Sequence, residues 1–307
     1  MTWNPFYVGD GTPKDVDLGE PPPWRAFPRH SPHELFRPPP GLVEAVNAAL
    51  VLRRPLLLTG APGSGKSSVI GQVAAELKLG EALRWHITSR STLVDALYRY
   101  DALGRIHAHR LGATGDDIAP FLRLGPLGTA LLPAKHPRAL LIDEIDKSDF
   151  DLPSDLLDVL ERGEFEIPEL ARHHTDGVDV REWGGDGLHA IVNGRVRCET
   201  FPFIVLTSNG ERDFPAAFLR RCVRFTMPAP TAASLHGIVA AHLEITPEHS
   251  ASVDALVAGF VERLAAGESL AVDQLLNAVH VLTGAQAPAP ESVQEVLDLV
   301  LRELSRV

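Results

Sequence analysis

Apolar residues along the chain follow two rhythms. From Gly41 the stretch LVEAVNAALVL carries them at helical spacing, and PLLLT (55–59) follows as a short continuous apolar run that leads straight into glycines. Helix, buried strand and loop are predicted in that order. Continuous runs recur at ALLID (139–143), FIVLTS (203–208) and CVRFTM (222–227), each predicting a buried strand, and RWHIT (84–88) predicts a further one. Between them Val69, Val73 and Leu77, and then Leu152, Leu156, Val159 and Leu160, line single helical faces. Apolar strands alternating with amphipathic helices predict a mostly parallel sheet covered on both faces.

The strand pattern stops after Pro228 and Pro230, and residues 231–307 read as helices. Their final stripe, Val293, Val296, Leu297, Val300, Leu301 and Leu304, is too short for sustained heptads and predicts a packed bundle. Before Gly41, EPPPWRAFPRHSPHELFRPPP cannot continue a helix or a central strand. Trp24, Phe27 and Phe36 predict that this extended arm packs along its own protein. Three segments result: a proline-rich arm (1–40), an α/β domain (41–230) and a small all-α domain (231–307).

Composition narrows the class. A chain of 307 residues has room for two domains with real cores. No apolar stretch approaches the roughly 20 residues of a membrane span. The opening MTWNPFYVGDGTPKD lacks the basic start and apolar core of a secretory signal, so a cytoplasmic location and no membrane partner are expected. Only Cys198 and Cys222 are present, which excludes a disulfide framework and a cysteine-rich zinc site. A formal net charge of -11 disfavours nucleic acid as a partner. The pairs His107/His109 and His173/His174 come without the further ligands a zinc site needs.

The chemistry begins in the loop after the first strand. Gly60, Ala61, Pro62, Gly63, Ser64, Gly65, Lys66, Ser67 and Ser68 spell GAPGSGKSS, which satisfies G-x-x-x-x-G-K-[ST] between a strand and a helix. The glycines let backbone N–H groups close around phosphate oxygens, and a helix starting near Lys66 adds the positive end of its dipole. Lys66 suits the outer phosphates, the Ser67 hydroxyl suits Mg²⁺, and Ser68 suits the inner phosphate. The strand ending LLIDEID supplies Asp143 as a second metal anchor and Glu144 as a base for water attacking a γ-phosphate. FIVLTSNG delivers Asn209 from another strand end, where an amide can orient that water.

With these motifs in order, the chain resembles an AAA+ ATPase, in which GAPGSGKS, LLIDEID and TSNG would be Walker A, Walker B and sensor 1. HITSRSTLVDALYRYDAL, DEIDKSDFDLPSDLLDVLERGEFEIPEL and DFPAAFLRRC make it most similar to MoxR-type ATPases, over about residues 20 to 285. The fold this implies is an α/β P-loop NTPase followed by a helical lid. It also implies an insertion in the second helix (100–136) and a β-hairpin ahead of the sensor 1 strand (170–200), near a central pore. Local chemistry agrees on the hairpin, because VDVREWGGDGLHAIVNGRVRCET holds two turn signals between alternating apolar residues.

The resemblance further implies ATP and Mg²⁺ as cofactors, a homo-oligomeric ring, most simply a hexamer, and a protein client such as one bearing a von Willebrand factor A-type domain. In DFPAAFLRRC, Arg221 is the first choice for a finger reaching the γ-phosphate of a neighbouring subunit, and Arg220 is a second finger or an interface ion-pair partner. One departure stands out: the basic sensor 2 residue of similar proteins is missing from GESLAVDQLLNAV, where Ala271 or a neighbour takes its place. A remodelling ATPase and a nucleotide-dependent assembly switch with slow hydrolysis both remain open. A helicase-like motor shares the inserts, but the acidic balance argues against it.

Overall fold

The computed structural model describes residues 6–7, 9–26, 36–111, 117–173, 177–284, 287 and 290–302. The chain divides into two compact units, one of Pro38–Thr59 and Val69–Thr226, the other of the residues up to Arg37, Gly60–Ser68 and those from Met227 onward. The strands thus end where the sequence pattern ends, while the phosphate loop groups with the helical unit.

Along the chain the α/β unit runs α1 (Leu42–Leu52), β1 (Leu56–Thr59), α2 (Val69–Glu76), β2 (Leu83–His86), α3 (Leu93–Leu97), β3 (Tyr98–Tyr100), α4 (Ala102–Arg110), β4 (Leu122–Leu124), α5 (Pro126–Ala130) and β5 (Ala139–Asp143). It continues through α6 (Leu152–Arg162), β6 (Glu164–Glu166), α7 (Pro168–Ala171), β7 (Gly177–Arg181), β8 (Leu188–Val192), β9 (Arg195–Arg197), β10 (Phe203–Ser208), α8 (Ala216–Leu219) and β11 (Val223–Thr226).

Five of these strands form an all-parallel sheet in the order β11-β1-β10-β5-β2. All six residues of β10 are buried, as a central strand covered on both faces requires. The run RWHIT yields a strand shifted by one residue at its start and ending at His86; Ile87 beyond it stays fully buried, with its N–H donated to the Asp143 carbonyl at 2.9 Å. The predicted helix near Lys66 opens as a 3₁₀ turn, Lys66–Ser68, before α2. Tighter first turns of this kind are common at helix starts.

The two insert regions, separate in sequence, fold into one second sheet of order β3-β4-β7-β8-β9-β6. β7 and β8 are the expected hairpin, and Asn193 and Gly194, both at positive φ, make the tight turn from β8 to β9. A single parallel pairing, Arg123 opposite Arg181, joins the first insert to the second. Leu122, Leu124, Val178, Val180, Ile191 and Val196 alternate inward and share one core with Leu140, Ile142, Ile204 and Leu206 of the parallel sheet. The insert sheet is therefore fastened to the strands that end in the candidate site.

The helical unit holds α9 (Ala232–His242), α10 (Ser250–Ala265), α11 (Val272–Thr283) and α12 (Pro290–Val300). Leu235, Val239, Val257, Phe260, Leu275, Val279, Leu297 and Leu301 form its core. Val293 and Val300 of the C-terminal stripe pack against that core, and Leu304 lies outside the described residues. Trp24 of the arm packs edge-on to His242 and His280 and donates its indole N–H to Asn277 Oδ1 at 2.9 Å. Burial lowers the His280 pKa. Phe27 and His174 lie outside the described residues. No helix among the described residues is long and apolar enough to cross a membrane.

Gly128 in α5 is held by close backbone approach, since a Cβ there would sit 1.9 Å from the Leu97 carbonyl oxygen and 3.1 Å from the Phe165 ring. Neither neighbour can yield without moving the insert. Gly128→Ala is expected to cost about 3 kcal/mol, read from the midpoint of urea unfolding. A midpoint equal to the parent's would show that the approach is not tight.

Candidate active site

The functional residues fall into two groups, one in each unit. In the helical unit, the glycines of the phosphate loop meet a physical demand. Gly63 sits at φ 70°, and a Cβ on it would come within 2.7 Å of the Val272 amide nitrogen and 2.9 Å of the Ala271 Cβ. Only glycine allows both the left-handed backbone and the approach of α11. Lys66 is 6% exposed, and its ammonium is folded back to donate to the carbonyls of Gly60 at 2.7 Å and Ala61 at 2.8 Å. The Ser64 hydroxyl is buried in the same loop with no hydrogen-bond partner among the described residues. A buried donor without a partner is costly, and a phosphate oxygen is the acceptor that this loop chemistry suits.

Ala271 caps α11, with its N–H donated to Gln274 Oε1 at 2.9 Å. The position at which the resemblance implies a basic sensor 2 residue is thus a methyl group packed beside the loop glycine. No lysine or arginine lies between Arg263 and Arg302 in sequence.

In the α/β unit, the carboxylates gather at the carboxyl ends of β5 and β10. The register that sets Leu206 opposite Ile142 carries Thr207 alongside Asp143. The fully buried Thr207 hydroxyl donates to Asp143 Oδ1 at 2.6 Å and accepts the Glu144 N–H at 2.9 Å. Glu144 itself adopts a left-handed backbone, φ 60° and ψ 49°, which is uncommon for a residue with a side chain and is held here by that hydrogen bond. This turn swings the Glu144 carboxylate towards Asn209 Nδ2, which donates to Oε1 at 3.4 Å, and towards Lys147 Nζ, which donates to Oε2 at 2.8 Å. His86 Nε2, at the end of β2, lies 3.6 Å from the same Oε2. The hydrogen bond to Glu144 raises the Lys147 pKa, so the ammonium stays protonated.

Asp146 is 4% exposed and anchors the sensor strand end. Its Oδ2 accepts the N–H groups of Asn209 at 2.9 Å and Glu211 at 3.1 Å. Arg212 bridges back to the carbonyls of Ser148 and Asp149. Asp143, Glu144 and Asn209 are therefore brought together as the motifs required. Thr207, Asp146, Lys147, His86 and Arg212 complete the arrangement without a sequence signal beyond position beside a motif. Thr207 could have been found, because it is the polar residue that breaks an apolar strand one step before its end.

The two arginines that follow differ sharply. Arg221 donates Nε to Glu161 Oε1 at 2.8 Å and Nη1 to the Ala217 carbonyl at 3.3 Å, so it is committed within its own chain. Arg220 is exposed, its side chain has no partner among the described residues, and its carbonyl accepts a hydrogen bond from Arg54.

Of the two residues expected to hold a metal ion, Ser67 in one unit offers a hydroxyl and Asp143 in the other a carboxylate, both hard oxygen donors. Mg²⁺ takes few protein oxygens and completes its shell with phosphates and water, so this donor set fits it. Among the described residues no group of three His, Cys, Asp or Glu side chains is placed to hold a metal ion.

A parallel sheet with strand order 5-1-4-3-2 in its own numbering, a phosphate loop after the first strand and a helical unit after the last define an AAA+ P-loop NTPase fold. The chain belongs to the AAA domain family, dynein-related subfamily, whose model matches residues 55–221, more than half of its length. No protein of curated function matches it. Among solved structures it is similar to NtrX from Brucella abortus in complex with ATP, at 15% identity and a TM-score of 0.45, covering 85% of this chain and 51% of that one. NtrX from the same organism in a second structure gives 14% identity and a TM-score of 0.47, covering 83% of this chain and 52% of that one. The chain spans about half the length of these structures.

Thr207→Val keeps the side-chain shape but leaves the Glu144 N–H and an Asp143 oxygen without their shared hydroxyl. A loss of about 1–3 kcal/mol in urea unfolding is expected, mostly recovered in Thr207→Ser. Equal stability of the valine variant would mean the hydroxyl holds nothing in place.

Proposed function

We propose that the chain is a Mg²⁺-dependent ATPase that assembles into a ring, a hexamer in the simplest case, and couples ATP binding and hydrolysis to remodelling of a protein partner. The observation that carries the reading is the Asp143–Thr207–Glu144 lock, which fixes two acids in different roles at one strand end. Lys66 would exchange the carbonyls of Gly60 and Ala61 for phosphate oxygens. Glu144 would accept the proton of the attacking water, and Asn209, already within reach of Glu144, would orient it. Mg²⁺ bound to Ser67 and Asp143 would neutralise charge that develops on the phosphates. The exposed Arg220 is the better candidate for a finger acting on a neighbour's nucleotide, since Arg221 is engaged with Glu161. Such fingers contribute about 10³ to 10⁵ in rate in related NTPases. A client with a von Willebrand factor A-type domain fits the MoxR-type resemblance.

Glu144→Gln is expected to bind ATP normally and to hydrolyse it at least about 10²-fold more slowly. Lys66→Ala should lose ATP binding in equilibrium titration. Neither Arg220→Ala nor Lys66→Ala rings should turn over alone, but mixed rings should regain activity at sites pairing an intact Lys66 with an intact Arg220. Absence of recovery on mixing rules out a finger acting in trans.

A specific observation favours a second reading, a switch that assembles on nucleotide and barely hydrolyses it. Glu144 is already ion-paired to Lys147 at 2.8 Å, and a carboxylate oxygen engaged by an ammonium is not free to accept from a water. If this pair restrains hydrolysis, Lys147→Met raises basal turnover in a steady-state assay. Reduced turnover would instead assign Lys147 to catalysis.

A further inference from the structure

We propose that the outer face of the insert sheet binds an acidic, extended segment of a partner protein through Arg99, Arg123 and Arg181. Register sets Arg99 opposite Arg123 and Arg123 opposite Arg181, so three guanidinium groups share one face on three adjacent strands. Strands lie about 4.8 Å apart, which makes this a continuous basic stripe. Their neighbours Leu122, Leu124 and Val180 point the other way and are buried, and all three arginines are exposed.

Like charges directly opposite one another weaken a sheet. At its other edge the same sheet avoids that cost, because Arg195 and Arg197 of β9 face Glu166 and Glu164 of β6 and pair with them. At the β3-β4-β7 edge, neither Arg99 nor Arg123 has a carboxylate partner among the described residues, and Arg181 pairs with Asp186, whose side chain is 95% exposed. Glu182 meets Arg123 only through its backbone carbonyl, which accepts from Nε at 3.3 Å, and its carboxylate is turned to Arg138 at 3.2 Å and His189 at 2.9 Å. Burial alone would raise its pKa, but these two partners outweigh burial and lower it.

The stripe is also pre-oriented. Arg99 and Arg123 both lie over the Trp183 ring, at 5.5 and 5.9 Å, and the Trp183 N–H is tied to Thr129 Oγ1 at 2.9 Å. Stacking holds the guanidinium planes through their faces, and Arg123 spends only its Nε, on the Glu182 carbonyl, so its two Nη groups stay available. Planar, fork-shaped donors match carboxylates in bidentate fashion. The next residue on the rung, opposite Arg181, is Leu188, 59% exposed, which offers an apolar contact at the end of the stripe. The net charge of -11 sets the rest of the molecule against a long polyanion, so a short acidic peptide fits this patch better than a nucleic acid. The inference stands apart from the ATPase reading, because binding needs no nucleotide.

The test uses the full chain without nucleotide and fluorescein-labelled octaglutamate, followed by anisotropy, with octalysine and an eight-nucleotide single-stranded DNA alongside. Octaglutamate should bind, more weakly as salt rises, and Arg99→Gln/Arg123→Gln should lose at least about tenfold in affinity. The melting temperature of that variant should be unchanged or higher, because a repulsive pair has been relieved. The charge-reversed Arg99→Glu/Arg123→Glu variant should lose octaglutamate and gain octalysine. The proposal is overturned by no octaglutamate binding, by equal binding in the glutamine variant, by tighter binding of DNA, or by a reversed variant that does not gain octalysine.

Discussion

The pairing of β10 with β5 is the constraint on which the candidate chemistry depends. Parallel register brings Thr207 beside Asp143, and one buried hydroxyl then serves both acids, accepting from the Glu144 backbone and donating to the Asp143 carboxylate. Asp146 returns the favour in the opposite direction by capturing the N–H groups of Asn209 and Glu211. Each strand end thereby fixes the other. A left-handed Glu144 costs backbone energy of order 1–3 kcal/mol, and such a conformation persists only where surrounding bonds over-determine it. Here they do, and the result is a carboxylate aimed at Asn209 and Lys147 rather than along the strand.

The same strands carry the insert sheet. Leu140 and Ile142 of β5 share a core with Val178, Val180 and Ile191 of the hairpin, so a displacement of the insert cannot leave β5 untouched. Interiors packed at crystal-like density transmit strain instead of absorbing it. The insert sheet and the strand that ends in Asp143 are thus joined by one continuous set of packed side chains.

Much of this was legible in the residues. Continuous apolar runs located β1, β5, β10 and β11 because a strand buried on both faces has no polar face to confuse the pattern. The phosphate loop was legible because close backbone approach leaves glycine no substitute, as Gly63 against Val272 demonstrates. The joining of the two inserts was not legible, since it rests on a single long-range pairing, Arg123 with Arg181, between residues that no local rule connects. Nor could sequence separate Arg220 from Arg221. Adjacent positions just past the end of a short helix point in different directions, and only the position of Glu161 on α6 decides that Arg221 is engaged and Arg220 is not.

One cation beside the motifs in each unit is held by local partners, Lys66 by two carbonyls of its own loop and Lys147 by Glu144. A ligand that recruits Lys66 therefore competes with at least these two hydrogen bonds. Its apparent affinity is lowered by the fraction of molecules in which the ammonium is released. Carbonyls are neutral acceptors, whereas a triphosphate offers several charged oxygens and so adds a charge–charge attraction that the carbonyls cannot supply. The exchange thus favours a polyanion and penalises a singly charged or neutral competitor. In the proposed reading the self-bonded loop would act as a threshold on charge, since the same lysine would have to leave its carbonyls to meet phosphate.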